Sequence, residues 1–517
     1  MKLSALIQDL AVSGDLGSDP EVFGVRHDSR AVEPGELFVA WSGARFDGRL
    51  FAGQAIERGA VAVLTDRPRP AEAQQDVPWL TAADPRALLG DLAAPIYGHP
   101  DRALTLVGIT GTNGKSTVVE LCGAILDAAG HPCGRIGTLG HHFAGDDLSR
   151  GRATDRTTPE ASDLFRLLAS MRDRGARAVA MEVSSHALVQ GRVHGARFDL
   201  AVFTNLTRDH LDFHGDLETY FAAKRRLFDT LKPGGLGVAN LDDNFGRRLA
   251  DELGLAHTFG SSGSGAAVRT AGVDLDADGI RGALVTPRGQ LRFRSPLLGR
   301  FNLSNLLAAA AAAEALGLSF EAVTRGIEAT RPLAGRMEAV RAGQPFLAIV
   351  DFAHTDAALE AAIRALRELT GTKVVVVFGC GGEKDQGKRP LMGKVAGDLA
   401  DLPIATSDNP RSEDPLAILA AVEEGLKAST NRNYRIVPDR REAIRRAVTV
   451  AMGGGWSVLV AGKGHENTQI VGNQRLPFSD KDELERPVAD HLASDVRGYM
   501  LYHLLYPLHE QFALFNV

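Results

Sequence analysis

The chain has 517 residues, 44% of them apolar and 24% charged, with a formal net charge of -6. That length exceeds a single core and predicts about three or four units of ordinary globular composition, and the acidic balance argues against a general nucleic-acid binder. Three cysteines without CxxC spacing, Cys122, Cys133 and Cys380, exclude a disulfide framework and fit a reducing compartment.

The opening MKLSALIQDL has no basic region followed by an apolar core, so no export signal is expected and the predicted location is the cytoplasm. No run of about 18 apolar residues predicts a membrane span. ELFVAW (36–41) and AVAVLTD (60–66) belong to a first unit that closes before YGHPDRA (97–103), with a boundary near Asp101. A second unit opens with LTLVGIT (104–110) and continues through VAMEVSS (179–185), LAVFTNL (200–206) and GLGVANLDD (235–243). Apolar runs of this kind, each followed by polar residues, predict parallel strands whose carboxyl ends converge on a site. Residues 261–298 alternate like a small β excursion, and the Ala-rich run Leu306–Leu318 predicts a buried helix. A third unit begins near Ala334, with strands in FLAIVDFAH (346–354), KVVVVFGCGG (373–382), PIATSDNP (403–410) and WSVLVAGKGHE (456–466). The expected division is 1–100, 101–333 and 334–491, followed by an atypical tail, 492–517.

GITGTNGKST (108–117) is the strongest local signal. A strand, a glycine-rich turn and a helix start aim backbone N–H groups at phosphate; Lys115 reaches the terminal phosphates, and Ser116 or Thr117 suits Mg²⁺. A small residue is usual where Ile109 stands. Glu182 and His210 end separate strands of the same unit and are candidate metal ligands. TYFAAKRRLF (219–228) is an amphipathic helix on which Lys224 would ordinarily be a solvated charge.

TGTNGKST resembles the Mur ligase family, which extends the peptidoglycan precursor peptide, and the resemblance runs to about residue 485. It implies an α/β chain of three domains: an N-terminal UDP-sugar domain, a central P-loop parallel-sheet ATPase and a C-terminal Rossmann-like amino-acid domain. Gly111, Thr112, Asn113, Gly114, Lys115, Ser116 and Thr117 would hold ATP, together with Asn305 beside the adenine, Arg336 of GRME at phosphate and Asp351 of DFAHTDAALE at the ribose. Asp356 stands where the family has Pro. Lys115, Glu182, His210 and Lys224 would be catalytic; Ser116, Glu182, His210 and a CO₂-carbamylated Lys224 would bind magnesium. HDSR with Ser29, the GARFDGR stretch (43–49), TTPE with Thr157 and Thr158, and Ser184, Gln190 and Arg192 resemble contacts to UDP-N-acetylmuramoyl-L-alanyl-D-glutamate.

DNPR (408–411) resembles the signature of family members that add meso-2,6-diaminopimelate. Arg389, Asp408, Asn409, Pro410, Arg411, Gly462 and Glu466 would line that site. Diaminopimelate is lysine with one extra carboxylate, which a guanidinium can grip bidentately; lysine would leave Arg411 facing nothing. The lysine-adding relative, a folylpolyglutamate synthetase and a non-catalytic nucleotide binder are the alternatives. The segment GYMLYHLLYPLHEQFALFNV (498–517) resembles the opening of a membrane transferase of the same pathway, which would make the chain a fusion; a docking helix or a disordered end is the plainer expectation.

Overall fold

The computed structural model describes residues 1–43, 47–70, 76–149, 156–261 and 263–491. The tail 492–517, residues 44–46 of the GARFDGR stretch and Ser262 lie outside the described residues. Three α/β sheets follow one another along the chain. In the first, Gly24–Arg26, Glu36–Val39, Ala62–Thr65 and Trp79–Thr81 run parallel, and Ser13–Asp15 joins the last of them antiparallel.

The central sheet has a parallel block in the spatial order Cys133–Gly137, Ala178–Glu182, Thr105–Thr110, Phe198–Phe203, Leu231–Asn240, His257–Gly260 and Val268–Asp276. The first strand in sequence, Thr105–Thr110, thus lies inside the sheet, with later strands on both sides. This change of winding direction opens a crevice at the carboxyl ends of Thr105–Thr110, Ala178–Glu182 and Phe198–Phe203. Antiparallel strands Gly279–Thr286 and Gly289–Ser295 extend one edge, which is the form the β excursion takes. Both faces of the middle of the parallel block are covered, so its central strands, Thr105–Thr110, Ala178–Glu182 and Phe198–Phe203, are almost wholly buried and largely apolar rather than alternating. Helices Lys115–Ala128 and Arg300–Ala315 pack on one face, with Ala308–Ala313 all buried. On the other, Ala161–Asp173 and Leu217–Arg225 bring Leu164, Phe165, Leu168, Tyr220 and Phe221 into a second core. Each such side chain contributes about 1.5–3 kcal/mol on burial. The Ala-rich helix starts earlier than its apolar run, at Arg300, because Gly299 (φ 86) breaks the preceding backbone there.

The third sheet orders Ala348–Asp351, Trp456–Ala461, Lys373–Phe378, Leu402–Ala405 and Arg435–Ile436 in parallel, with Glu338–Val340 antiparallel at one edge. Helices Asp356–Thr370, Lys388–Leu399 and Pro415–Ala428 cover one face, and Arg440–Met452 the other. This is a doubly wound sheet whose strand ends also carry polar loops. No helix among the described residues is long and apolar enough to cross a membrane.

Candidate active site

The carboxyl ends of the central and third sheets share a cleft of about 630 Å³. Its floor is the glycine-rich loop. Gly111 has φ 150, and a Cβ there would lie 1.9 Å from Thr204 Oγ1. Gly114 (φ 88) leaves room for Asn305, whose Oδ1 would sit 2.3 Å from an added Cβ. The loop is fastened to the neighbouring strand end: Thr112 N donates to Asn205 O (2.8 Å), Asn113 N to Asn205 Oδ1 (2.9 Å), and Thr204 Oγ1 to Asn113 O (2.7 Å). Helix Lys115–Ala128 starts immediately after Gly114, so its unpaired N–H groups and positive dipole end point into the cleft. Lys115 folds back, donating from Nζ to Gly111 O and Thr112 O, both at 2.9 Å. Burial depresses its ammonium, while Glu182 opposes that shift.

Glu182 closes strand Ala178–Glu182 and is 2% exposed. Its Oε1 accepts from Ser116 Oγ (2.8 Å) and Thr138 N (2.8 Å), and its Oε2 from Thr138 Oγ1 (3.2 Å). The second lobe reaches the same point, with Arg336 donating to Ser116 Oγ at 3.4 Å. His210 stands in a left-handed conformation (φ 54), its ring edge-on to His186 at 4.8 Å. Burial pushes its pKa down to about 3, against the pull of Asp209, so the ring is a neutral imidazole with a lone pair to offer. Lys224 is not solvated. It is 1% exposed, donates to Gly111 O at 2.7 Å and sits 4.3 Å over the Tyr220 ring. Burial, reinforced by Lys115, holds its ammonium well below the ordinary value.

On the facing lobe, Arg336 lies 4.6 Å over the Phe352 ring, its pKa lowered by burial against the attraction of Glu182 and Asp351. Asp351 ends strand Ala348–Asp351 and accepts from Met337 N at 2.7 Å; burial raises its carboxyl. Asp356 occupies the first position of helix Asp356–Thr370, capped by Thr355 Oγ1. Proline suits that position because its missing N–H is unpaired anyway, and an acidic residue suits it because of the dipole, so the helix starts without Pro.

The amino-acid residues assemble around the third sheet. Asp408 is buried, its carboxyl raised by burial, and Gly462 (φ 117) approaches it so closely that a Cβ would lie 2.6 Å from Oδ2. Pro410 follows Asn409, and Arg389 donates to both oxygens of Glu413 (3.0 and 2.8 Å). Arg411 has φ 53 and gives NH1 to Gly382 O (2.7 Å) and Asn409 O (3.4 Å). Among the described residues it has no carboxylate partner, and it lines the cleft with Asp408, Asn409, Gly462 and Glu466.

The nucleotide-sugar set divides. Thr157 and Ser184 line the cleft, while Thr158 braces it by donating to Glu182 O at 2.9 Å. Gln190 and Arg192 lie behind: Arg192 donates to Thr158 O (3.1 Å) and Gln190 Oε1 (2.5 Å). Ser29 sits apart on the first lobe, bonded to Gln54 Oε1 at 2.7 Å. Arg86 of that lobe reaches Glu160 (2.8 Å) and Gln190 (3.0 Å) of the next.

Sequence reasoning missed Thr138, Asp209, Glu413 and Lys463. Burial alone would raise the Asp209 carboxyl, but the His354 ring (3.7 Å), helped by Lys388, holds it well below the usual carboxylate range, and His210 stands 3.4 Å from the same carboxyl. Asp209 directly precedes the assigned His210, and Lys463 lies between two assigned residues, so both were within reach; Thr138 and Glu413 carry no local signal. Among the described residues, no three His, Cys, Asp or Glu side chains form a ready metal cluster. Glu182 and His210 offer a carboxylate and a neutral imidazole beside the Ser116 hydroxyl, a donor set that fits a hard cation once Lys224 becomes an oxygen ligand.

Comparison with known proteins gives three family models along the chain: "Mur ligase family, catalytic domain" over 21–97, "Mur ligase middle domain" over 109–313 and "Mur ligase, glutamate ligase domain" over 335–464. The UDP-N-acetylmuramoyl-L-alanyl-D-glutamate--2,6-diaminopimelate ligase of Geobacter metallireducens is 44% identical over 90% of this chain and 93% of its own. Its counterpart in Streptomyces avermitilis is 47% identical over 91% of this chain and 94% of its own. A solved structure of a ligase with the same name is 32% identical, with TM-score 0.64 over 95% of this chain and 99% of that one.

Proposed function

This chain belongs to the Mur ligase family, and on that premise we propose that it joins meso-2,6-diaminopimelate to UDP-N-acetylmuramoyl-L-alanyl-D-glutamate, consuming ATP, in the cytoplasmic synthesis of peptidoglycan precursor. The observation that carries the choice of amino acid is Arg411, a guanidinium without a carboxylate partner among the described residues, across the same cleft as the phosphate loop. The fusion to a membrane transferase that the tail's resemblance raised finds no support among the relatives above and is not part of the proposal.

A carboxylate is a poor electrophile, so the ligase first phosphorylates it. The loop Gly111–Thr117 holds the triphosphate on its N–H groups and helix end, and Lys115 exchanges its two carbonyl contacts for phosphate oxygens. Arg336 brings a second cation from the opposite lobe, with Asn305 and Asp351 on the nucleoside side. Ser116, Glu182, His210 and carbamylated Lys224 would hold magnesium, which when bound neutralises charge on the phosphoryl oxygens. Lys224 is prepared for that role because burial beside Lys115 favours its neutral amine form over the ammonium; once deprotonated, nitrogen attacks CO₂, an N–C bond forms and one proton leaves, giving a carbamate anion. The γ-phosphoryl group passes to the D-glutamate carboxylate. The diamine nitrogen then attacks the acyl phosphate and phosphate is expelled, while the two facing lobes keep water from the acyl phosphate. Thr157 and Ser184 position the peptide, braced from behind by Thr158, Gln190 and Arg192, and Ser29 anchors the nucleotide end.

Phosphate release with the muramoyl dipeptide nucleotide, ATP and magnesium tests this reading. Release is expected with meso-diaminopimelate and at least about 100-fold less efficiently with L-lysine or L-glutamate. Equal use of lysine would overturn the substrate assignment.

A further inference from the structure

Lys463 is completely enclosed, 0% exposed, at the amino-acid end of the cleft, and the mechanism above gives it no task. Its Nζ donates to Asn409 Oδ1 at 3.0 Å and to Glu466 Oε2 at 2.9 Å. Asn409 Oδ1 also accepts from Ile470 N at 2.9 Å. Both lone pairs of that oxygen are therefore occupied, and the amide nitrogen is turned toward Glu466 Oε2, to which it donates at 2.7 Å. Glu466 Oε2 thus receives two donors, while Oε1 receives none among the described residues and Glu466 lines the cleft. The ammonium ties the turn after strand Trp456–Ala461 to the loop after Leu402–Ala405, and Asn409 in turn ties that loop to the hairpin strand Thr468–Val471.

Charge points the same way. Lys463 faces two carboxylates, Asp408 and Glu466, and draws both toward their ionised forms against burial. The nearby Arg440 is cancelled by Asp480 in an enclosed pair at 2.7 Å. Two carboxylates, Asp408 and Glu466, thus stand at one end of the cleft, and the Arg411 guanidinium, with no carboxylate partner among the described residues, lines the same cleft together with Lys384 and Lys388. That pattern complements the ammonium and carboxylate of an amino acid.

We propose that Lys463 is a positioning residue for amine recognition: it sets the orientation of the Asn409 amide and holds Glu466 so that Oε1 faces an ammonium group of the incoming diamine. The proposal rests on the assignment of this end of the cleft to diaminopimelate, and the test separates the two. Wild type and Lys463→Met are compared for KM of meso-diaminopimelate, ATP and the muramoyl nucleotide. Loss of a buried charged donor raises the KM for diaminopimelate about 10- to 100-fold, with the other two within about twofold. In a Glu466→Gln background the same substitution adds less than about threefold, because the carboxylate it positions is already gone. Should Lys463→Met fail to fold, Lys463→Gln, which keeps a donor for Asn409 Oδ1 but not the charge, carries the same expectations. Equal changes in all three KM values, no change in any, or full additivity with Glu466→Gln would overturn the positioning role. A wild-type enzyme indifferent to diaminopimelate would instead overturn the assignment beneath it.

Discussion

Replacing Arg411 with alanine separates amino-acid choice from the rest of the reaction. The backbone there is left-handed, φ 53, and alanine meets the same restriction as arginine, so the substitution adds no strain specific to the new residue. Within the protein it removes two hydrogen bonds, from NH1 to Gly382 O and to Asn409 O, at a partly exposed position, which costs about 1 kcal/mol or less. The effect on substrate is larger. A two-point guanidinium–carboxylate pair contributes about 2–4 kcal/mol, or roughly 30- to 1,000-fold in kcat/KM. Steady-state phosphate release should show that loss for meso-diaminopimelate, with KM for ATP within about twofold. The preference over L-lysine should collapse, because lysine has no second carboxylate for the guanidinium to hold. Equal losses for diaminopimelate and ATP, or a retained preference, would refute the reasoning.

Gly111→Ala should lower stability by about 2–4 kcal/mol and weaken ADP binding in calorimetry, since a Cβ at φ 150 meets Thr204 Oγ1 at 1.9 Å; a stable variant with normal affinity would contradict the close packing. Lys224→Ala should lose activity by more than about 100-fold, and wild type supplied with ¹³C-bicarbonate should show a carbamate resonance that the variant lacks. Full wild-type activity in rigorously CO₂-free buffer would remove the modified lysine from the account. His214 is buried against Tyr220, and burial pushes its pKa down to about 4. Below about pH 6.5 the unfolded chain binds a proton there that the folded chain refuses, so stability falls with pH by at most about 1.4 kcal/mol per unit. Urea melts at pH 7.5, 6.0 and 5.0 should show a shallower fall for His214→Gln; an identical slope would contradict the shift.

The parallel sheets were legible because each buried strand is an unbroken apolar run with polar residues after it, as in VAMEVSS and KVVVVFGCGG. The phosphate loop was legible because its glycines and Lys115 are contiguous. Lys224 could have been placed in the interior from spacing alone: it lies one helical turn from Tyr220, and both face inward. Thr138 and Glu413 were not legible, since their partners, Glu182 and Arg389, lie far away in sequence and meet them only when strand ends align. Likewise Arg336 reaches Ser116 from the other lobe, a contact that no local pattern encodes.

The central claim, activation of a carboxylate by phosphoryl transfer, has a direct isotopic test. The D-glutamate carboxylate of the muramoyl substrate is labelled with ¹⁸O, and the phosphate released in the presence of ATP, magnesium and meso-diaminopimelate is analysed by mass spectrometry. Transfer through an acyl phosphate delivers one labelled oxygen from each activated carboxylate to each phosphate released. Amide product accompanied by unlabelled phosphate would contradict it.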